Sequence, residues 1–394
     1  MNPSHEQKST CSGDERNVQI SLVGGQLAPV YNAIMSTPTD MVEVFYSEQT
    51  ASDVNVLRES IGIPIVDSKP LSTTDPNEIL ARARELAEKY SNDKITLNIT
   101  SGPKSWSYLF SSVLQPLKNV HIVYIDQNNI LWDYTDLTHK ENFVFDMRTQ
   151  FKLYKNPLVS YTPISDYTKA DDKVLDLIAM IRRRHPNQFN KLFIFKDGKE
   201  KHILNDKIGC RTSSDGSEVT WDKTLVNDDG EALLSITIYH KGMPYCYNLH
   251  SPHAFDLAFN AGWFEYKVAK LFSRWAKCKE VLLNCTFPSK DASPQNKSLK
   301  NEVDVMVNAG TKIIFVECNT QIHKETYIDK FRSVVKNYGG MGSKGIFVTD
   351  AMKKPLAKEK CQQNDVIDVS FAEDFEEAKF FAMLDRMLPQ LNTK

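Results

Sequence analysis

Long apolar segments are missing from this sequence. No apolar run approaches the roughly 18 consecutive residues with which a helix crosses a bilayer. Residues 1–8 are mostly polar and lack the apolar centre of a secretory signal. We therefore expect a cytoplasmic protein without a membrane partner.

Paired cysteines are also missing. The 394 residues include seven cysteines, an odd number, and none stands in a Cys-x-x-Cys motif. Scattered thiols of this kind are typical of a reducing compartment. They argue against a disulfide framework and against a structural zinc site.

The chain has no excess of charge and none of the common nucleotide fingerprints. Its 48 lysines and arginines nearly balance 50 aspartates and glutamates, so only a local basic groove would attract nucleic acid. It contains neither a Walker A motif nor Gly-x-Gly-x-x-Gly, which leaves nucleotide hydrolysis and dinucleotide redox chemistry unsupported. The C-terminal half contains no helix-turn-helix pattern, so a transcription regulator lacks support.

The length of the chain and its strand and helix patterns predict an α/β protein. A chain of 394 residues is long enough for two or three domains. Between residues 18 and 134, strand-like runs alternate with amphipathic helical patterns. This alternation indicates a parallel, Rossmann-like sheet, in which ligand sites lie at the carboxyl ends of the strands.

Two loops follow predicted strands in this part of the chain, at residues 23–29 and 98–104. The second combines the hydroxyls of Thr100 and Ser101 with a glycine and with Lys104 in the first turn of a predicted helix. Such a loop can bind phosphate. The alternative is an ordinary helix cap followed by a solvated lysine.

The most informative stretch covers residues 302–319. Apolar and mainly polar side chains alternate from 302 to 307, Asn308-Ala-Gly310 is typical of a turn, and Lys312–Val316 is a second apolar run. The pattern predicts a β-hairpin.

Asp304 and Glu317 would approach each other at one end of this hairpin. Two adjacent carboxylates repel unless a divalent cation neutralises them, and oxygen ligands suit magnesium or manganese in phosphoryl chemistry. The alternative is that Asp304 is the polar member of an amphipathic strand and Glu317 a strand end. Two features favour the metal site: Glu317 closes an otherwise apolar run, and Glu265 lies upstream in a helical pattern.

A helix with Glu265, a strand with Asp304, a strand with Glu317 and a further helix follow one another in this sequence. The order resembles the core of the PD-(D/E)XK nuclease superfamily. The resemblance implies a restriction-endonuclease-like α/β domain in which these three acids bind Mn²⁺ or Mg²⁺.

Asn319 departs from that pattern, because the family has a lysine at this place that helps to orient or activate the attacking water. Asparagine carries no charge and cannot transfer a proton. Three explanations stay open. Another lysine substitutes, Lys330 being the first candidate and Lys300 the second; the site binds metal with weak or no cleavage; or the asparagine was introduced to silence the enzyme.

The loop at 98–104 is similar to the N-(I/V)-T-G-G-T-K signature of CARF domains, the Rossmann-like sensors of cyclic oligoadenylates in type III CRISPR immunity. Ser101 and Pro103 replace the commoner Gly and Thr. The similarity covers about residues 16–150 and implies a homodimer whose loops surround the messenger. The implied ligand-binding residues are Gly24, Gly25, Gln26, Thr100, Ser101, Gly102 and Lys104.

Together the two resemblances imply a homodimeric, metal-dependent endonuclease that cleaves single-stranded DNA, RNA or both when a cyclic oligoadenylate, most simply cyclic tetra-adenylate, is bound. The implied division is a sensor at 16–150, a connector at 151–251 and a nuclease domain at 252–394. The alternative is a messenger sensor that binds nucleic acid without cutting it, for which Asn319 is the reason.

The connector gives fewer signals. Residues 171–185 predict a helix that ends in the basic run Arg182-Arg-Arg184-His185. This run favours a solvated helix end, with a nucleic-acid contact as the alternative. Lys191–Phe195 predicts a strand, and residues 233–249 predict a hairpin across Lys241-Gly242.

Overall fold

The chain divides into two compact units, residues 1–157 and 158–394. The computed structural model describes residues 15–66, 70–140, 146–195, 200–224, 232–259, 261–288, 300–310, 312–322, 324–339, 343–352, 354–373 and 375–388. Among these residues, no helix is both long enough and apolar enough to span a membrane.

The described part of the first unit contains one sheet with the strand order β3-β2-β1-β4-β5-β6-β7. Its strands are β1 (Asn17–Leu22), β2 (Met41–Phe45), β3 (Ile65–Val66), β4 (Lys94–Asn98), β5 (Val120–Ile125), β6 (Leu131–Asp133) and β7 (Thr138–Lys140). Its helices are α1 (Ala28–Ser36), α2 (Ala51–Ser60), α3 (Pro76–Lys89), α4 (Lys104–Leu114) and α5 (Met147–Leu153).

The parallel, Rossmann-like sheet expected for this unit is confirmed. Strands β1 to β5 are parallel, and β6 and β7 extend the sheet as an antiparallel hairpin. From β1 the chain runs outward through β2 to β3, and it then returns to the other side of β1 for β4 and β5. The order therefore reverses between β1 and β4, and a ligand crevice forms at such a switch point.

Apolar residues of β1 explain why helices cover the sheet. Val18, Ile20 and Leu22 are buried in one cluster with side chains of α3 and α4, among them Trp106 and Phe110. Their burial on one face is the period-two pattern of a strand. This packing fixes the start of α4 beside the carboxyl end of β1.

The described part of the second unit contains a mixed sheet in the order β17-β16-β15-β14-β13-β8 and an antiparallel sheet in the order β12-β11-β10-β9. Its strands are β8 (Ser160–Pro163), β9 (Ile208–Thr212), β10 (Glu218–Asp222), β11 (Ala232–His240), β12 (Met243–Ser251), β13 (Glu280–Pro288), β14 (Lys300–Asn308), β15 (Ile313–Asn319), β16 (Lys344–Thr349) and β17 (Val366–Ser370). Its helices are α6 (Lys169–Arg184), α7 (Pro186–Phe193), α8 (Ala254–Ala258), α9 (Gly262–Ser273), α10 (Thr326–Tyr338), α11 (Pro355–Gln363) and α12 (Glu377–Met387).

The region expected to be a connector, residues 151–251, is mostly part of the second unit. Strand β8 pairs with β13 at the edge of the mixed sheet. Trp221 of β10 and Leu234 of β11 are buried in the same cluster as Val281 of β13 and Val305 of β14. A shared core of this kind makes both sheets one folded body.

The strand predicted for Lys191–Phe195 is wrong, whereas the hairpin predicted for 233–249 is confirmed as β11 and β12. Helix α7 extends from Pro186 to Phe193. Phe189, Leu192 and Phe193 are buried at the i, i+3 and i+4 spacing of a helix face. The apolar residues near the helix end resemble a short strand when they are considered without the preceding turn.

Asp171 fixes the first turn of α6. Its carboxylate is fully buried and accepts hydrogen bonds from the backbone N–H of Thr168, at 2.7 Å, and of His253, at 3.1 Å. The His253 ring also contacts it through Nδ1, at 3.2 Å. Although burial raises it, the pKa of Asp171 lies below its usual range because these hydrogen bonds stabilise the anion. The same contact raises the pKa of the His253 ring.

We expect replacement of His253 by glutamine to lower the free energy of unfolding by about 1–3 kcal/mol at pH 6, because the partner is a buried anion. The raised pKa of His253 means that its contribution is complete below the unfolded-state value of 6.5 and is lost as the pH rises through the folded-state value. Urea unfolding of both proteins at pH 6 and pH 9 measures this. If the two proteins differ equally in their free energy of unfolding at pH 6 and at pH 9, the role of the ion pair is contradicted.

Candidate metal centre and messenger-binding loops

The hairpin expected to carry two acids is confirmed. Strands β14 and β15 pair antiparallel, with Val305 opposite Val316 and Val307 opposite Ile314. Asp304 and Glu317 are the next residues of each strand beyond Val305 and Val316, so they occupy facing positions. The register therefore brings the two predicted ligands to the same end of the hairpin.

The third acid, Glu265, lies one turn into α9, which packs on β13, β14 and β15. Ala261, immediately before the helix, has a left-handed backbone with φ of 68°. A side chain at Gly262 would collide with the carbonyl oxygen of Asp256 in α8. The close contact between α8 and the start of α9 thus directs the first turn of α9, and with it Glu265, towards the sheet.

The electrostatics of the three acids show that they are close together. Burial, followed by the charges of Glu302 and Glu317, raises the pKa of Glu265 to about 8. Burial and the charges of Glu317 and Glu265 also raise the pKa of Asp304 well above its usual value. Carboxylates that resist ionisation for these reasons become better anions when a cation is placed between them.

The carboxylates form an open arrangement. One oxygen of Asp304 accepts the backbone N–H of Cys318 at 2.6 Å, which holds this side chain towards β15. The three acids do not have one oxygen each within 4.8 Å of the others, a condition that His121, Asp133 and Asp136 of the first unit do meet among the described residues. Magnesium and manganese keep several water ligands and need only one or two protein carboxylates. The donor set at Asp304 and Glu317 therefore fits such an ion.

Asn319 and Lys330 both act on Glu317. The Asn319 amide lies 3.4 Å from a Glu317 oxygen, as a donor. Burial raises the pKa of Glu317 to about 7, while this hydrogen bond and the positive charge of Lys330 lower it. Lys330 thus lies within electrostatic reach of the acids on an exposed face of α10. Lys300 begins β14 opposite Pro288, and its side chain is outside the described part of the chain.

Two further acids near the centre were not among the predicted site residues. Glu302 acts on all three acids and is exposed on β14, two positions before Asp304. Its position was readable from the strand alternation, since residues two apart share a face. Asp256 of α8 also raises the pKa of Glu265. Only the packing of α8 against α9 brings it there.

The two loops expected to face the messenger meet at the switch point of the first sheet. The Ser101 hydroxyl accepts the N–H of Gly24 at 3.0 Å and donates to the carbonyl of Gln26 at 3.2 Å. A side chain at Gly24 would lie 2.6 Å from the backbone nitrogen of Gly102. Glycine at position 24 is therefore required by the close approach of two backbones.

The remaining residues of these loops divide between structural and exposed positions. The Thr100 hydroxyl donates to Asn98 at 2.6 Å and accepts the N–H of Ile125 at 2.9 Å, so it ties its loop to β5. Gly102 has φ of +86°, which favours glycine. Gly25, Gln26 and Lys104 are exposed, and Lys104 begins α4, where backbone N–H groups lack intrahelical acceptors.

Comparison with known proteins gives a clear answer for the fold. No protein-family model and no curated protein sequence matches the chain. Solved structures do match it along nearly its full length. They include Can2 from Sulfobacillus thermosulfidooxidans in complex with cyclic tetra-adenylate (TM-score 0.61, 18% identity, 95% of this chain and 100% of Can2) and VC1899 from Vibrio cholerae (TM-score 0.65, 12% identity, 94% and 98%).

A third match is a type III CRISPR defence DNA nuclease activated by cyclic oligoadenylate (TM-score 0.57, 14% identity, 96% of this chain and 54% of that protein). The chain shares the fold of these proteins. The resemblance to sensor-plus-nuclease proteins of CRISPR immunity, stated above from two motifs, is thereby confirmed for the α/β architecture of the chain.

We expect Mn²⁺ to raise the melting temperature more at pH 8 than at pH 6. Because the pKa values of Glu265 and Glu317 are raised, the metal-free protein loses stability as the pH rises from about 4.5 to about 8, and a bound cation reverses that loss. At 100 times its dissociation constant, an ion contributes about 2.7 kcal/mol. Thermal unfolding in EDTA and in Mn²⁺ at both pH values measures the effect.

Two variants locate the ion. Asp304→Asn should remove the Mn²⁺-dependent shift, whereas His121→Ala, in the exposed group of the first unit, should keep it. The opposite result would place the ion at His121.

Proposed function

We propose that this protein is a metal-dependent endonuclease that cleaves single-stranded DNA, RNA or both in type III CRISPR antiviral defence, and that a cyclic oligoadenylate activates it. The observation that carries the proposal is the facing position of Asp304 and Glu317 beside Glu265. Carboxylates gathered from two strands and a helix repel one another as anions, and a cation between them removes that repulsion.

Each residue has a role that its surroundings support. Asp304 and Glu317 hold Mg²⁺ or Mn²⁺, and Glu265 binds a second ion or orients the ligands of the first. When bound, the ion supplies charge neutralisation for the phosphodiester and acidifies a water ligand. Lys330 is the cation beside Glu317 and takes the place of the family lysine that is absent at Asn319.

The first unit is the sensor in this proposal. Its two loops meet at the switch point of a parallel sheet, where α4 begins with Lys104 and directs N–H groups outward. A solved protein of the same fold is in complex with cyclic tetra-adenylate, which supports that ligand here. Two copies of the chain would surround a symmetric messenger, so the active form is a homodimer.

A second candidate function is a messenger-sensing protein that binds nucleic acid without cutting it. Asn319 favours it, because the amide cannot transfer a proton and is already engaged with Glu317. Replacing Asn319 by lysine separates the two candidates. We expect a gain of cleavage if the centre is catalytic, whereas no cleavage by either form supports the binding function.

We expect cleavage of labelled single-stranded oligonucleotides only with Mn²⁺ or Mg²⁺, and more of it with cyclic tetra-adenylate. Asp304→Asn and Glu317→Gln should each lower the rate about 100-fold or more, since metal chemistry contributes several kcal/mol. Glu376→Gln is the matched control, because it neutralises an exposed carboxylate before α12. Unchanged cleavage by the Asp304 variant would overturn the site.

The sensor has a matched pair of variants. We expect Gly24→Ala to lower the affinity for cyclic tetra-adenylate at least about tenfold, because the methyl group forces the two loops apart and 1.4 kcal/mol corresponds to tenfold. Gly62→Ala, at a glycine outside these loops whose added methyl group also meets nothing within 4 Å, should change it little. Isothermal titration of both proteins measures this. Equal affinities would show that the meeting of the loops does not form the pocket.

A further inference from the structure

A recess of about 400 Å³ opens between α6 and α9 in the second unit. Its charged walls consist of Arg182 and Arg183 from the last turn of α6, Lys267 of α9, and Asp176. Three cations line the recess with one carboxylate, and a second carboxylate, that of Asp350, lies within 4 Å of Arg182 and Lys267. The recess is locally basic in a protein that is not basic overall.

Arg182 is held rigidly in this recess. Its guanidinium lies 3.7 Å from the ring centre of Trp263, which is buried, and it bonds to the carboxylate of Asp350 at 3.2 Å. The side chain is still 28% exposed. A guanidinium fixed on an indole presents a flat, positively charged surface, on which a base can stack or a phosphate can bind.

Arg183 and Lys267 are the accessible cations of the same recess, since both are exposed. Lys267 also lies 3.8 Å from the Asp350 carboxylate. Long cationic side chains around a fixed planar group combine the two elements of a single-strand binding groove, which are backbone charge and a stacking surface.

A short series of contacts connects the recess with the acidic centre. Trp263 and Lys267, four positions apart, share one face of α9, whereas Glu265, two positions from each, lies on another face of the same helix. Asp350, which binds Arg182, donates its backbone N–H to the carbonyl of Asn319 at 3.3 Å. The Asn319 side chain contacts Glu317. The recess is therefore joined to the Glu317 side of the centre through Asp350 and Asn319.

We propose that this recess binds the sugar-phosphate backbone of a single-stranded nucleic acid next to the acidic centre. The inference rests on the proposed nuclease function and names the residues that position its substrate, Arg182, Arg183 and Lys267. The basic run at the end of α6, which the sequence pattern favoured as a solvated helix end, is in part a binding surface.

The test uses the full-length Asp304→Asn protein, so that bound oligonucleotide stays intact. Fluorescence anisotropy measures the affinity for a labelled single-stranded DNA and for RNA of the same sequence at several salt concentrations. We expect Arg183→Ala combined with Lys267→Ala to lower the affinity at least about tenfold. The slope of log affinity against log salt should fall by about 0.7 for each lost cation.

Arg184→Ala is the matched control for a single charge. Arg184 is exposed in the same helical turn but does not line the recess, so its loss should change the affinity less than twofold. Equal losses of oligonucleotide affinity in Arg183→Ala and Arg184→Ala would overturn the proposal. Polyglutamate that binds as tightly as the oligonucleotide would also overturn it. Melting temperatures close to that of the parent confirm that these surface variants fold.

The two proposals fail separately. If Asp304→Asn abolishes cleavage while the Arg183 and Lys267 variants bind oligonucleotide normally, the nuclease function stands and the recess is not its substrate groove. If the Asp304 variant still cleaves, the acidic centre is wrong whatever the recess binds. Tighter binding of DNA or of RNA then identifies which backbone the recess prefers.

Discussion

Repulsion among carboxylates held away from water is the constraint on which the second unit depends. The register of β14 and β15 ends at the pair Val305–Val316, with Asp304 and Glu317 the next residue of each strand, and α9 adds Glu265 from a third element. Burial raises the pKa of each of these groups; neighbouring carboxylates add to the effect, Glu317 acting on Glu265 and Asp304, and Glu302 acting on all three. A fold gains nothing in stability from such an arrangement by itself. A cation would offset this repulsion, and the proposed chemistry depends on it.

The loops of the first unit favour an anion, whereas the acids of the second unit favour a cation. Its loops meet where the strand order reverses, and backbone N–H groups at the start of α4 make this end of the sheet favourable for anions. Ser101 holds the two loops together, and Gly24 allows their backbones to approach. The unit suits a phosphate-bearing ligand, as the second unit suits a metal ion and a phosphodiester.

Local patterns predicted those parts of the chain whose neighbours along the sequence are also neighbours in space. The alternation before Asn308 predicted the hairpin correctly, and the strand-helix alternation from residue 18 predicted the parallel sheet. The strand predicted at Lys191–Phe195 failed because its apolar residues belong to a helix face that begins at Phe189. Residues 151–251 were expected to be a connector, since no local pattern shows that Trp221 and Val305 share one core.

By itself, the sequence determined the identity of the acids, their order along the chain and the glycines of the loops at residues 23–29 and 98–104, because these are properties of single residues and short periods. Tertiary structure alone decided that Asp256 also acts on the acidic centre, and that Thr100 ties its loop to β5. It also decided that Arg182 lies on Trp263 beside Asp350. The physical reason is that electrostatic and packing energies depend on distance in space, which helix packing and strand register set between residues far apart in the chain.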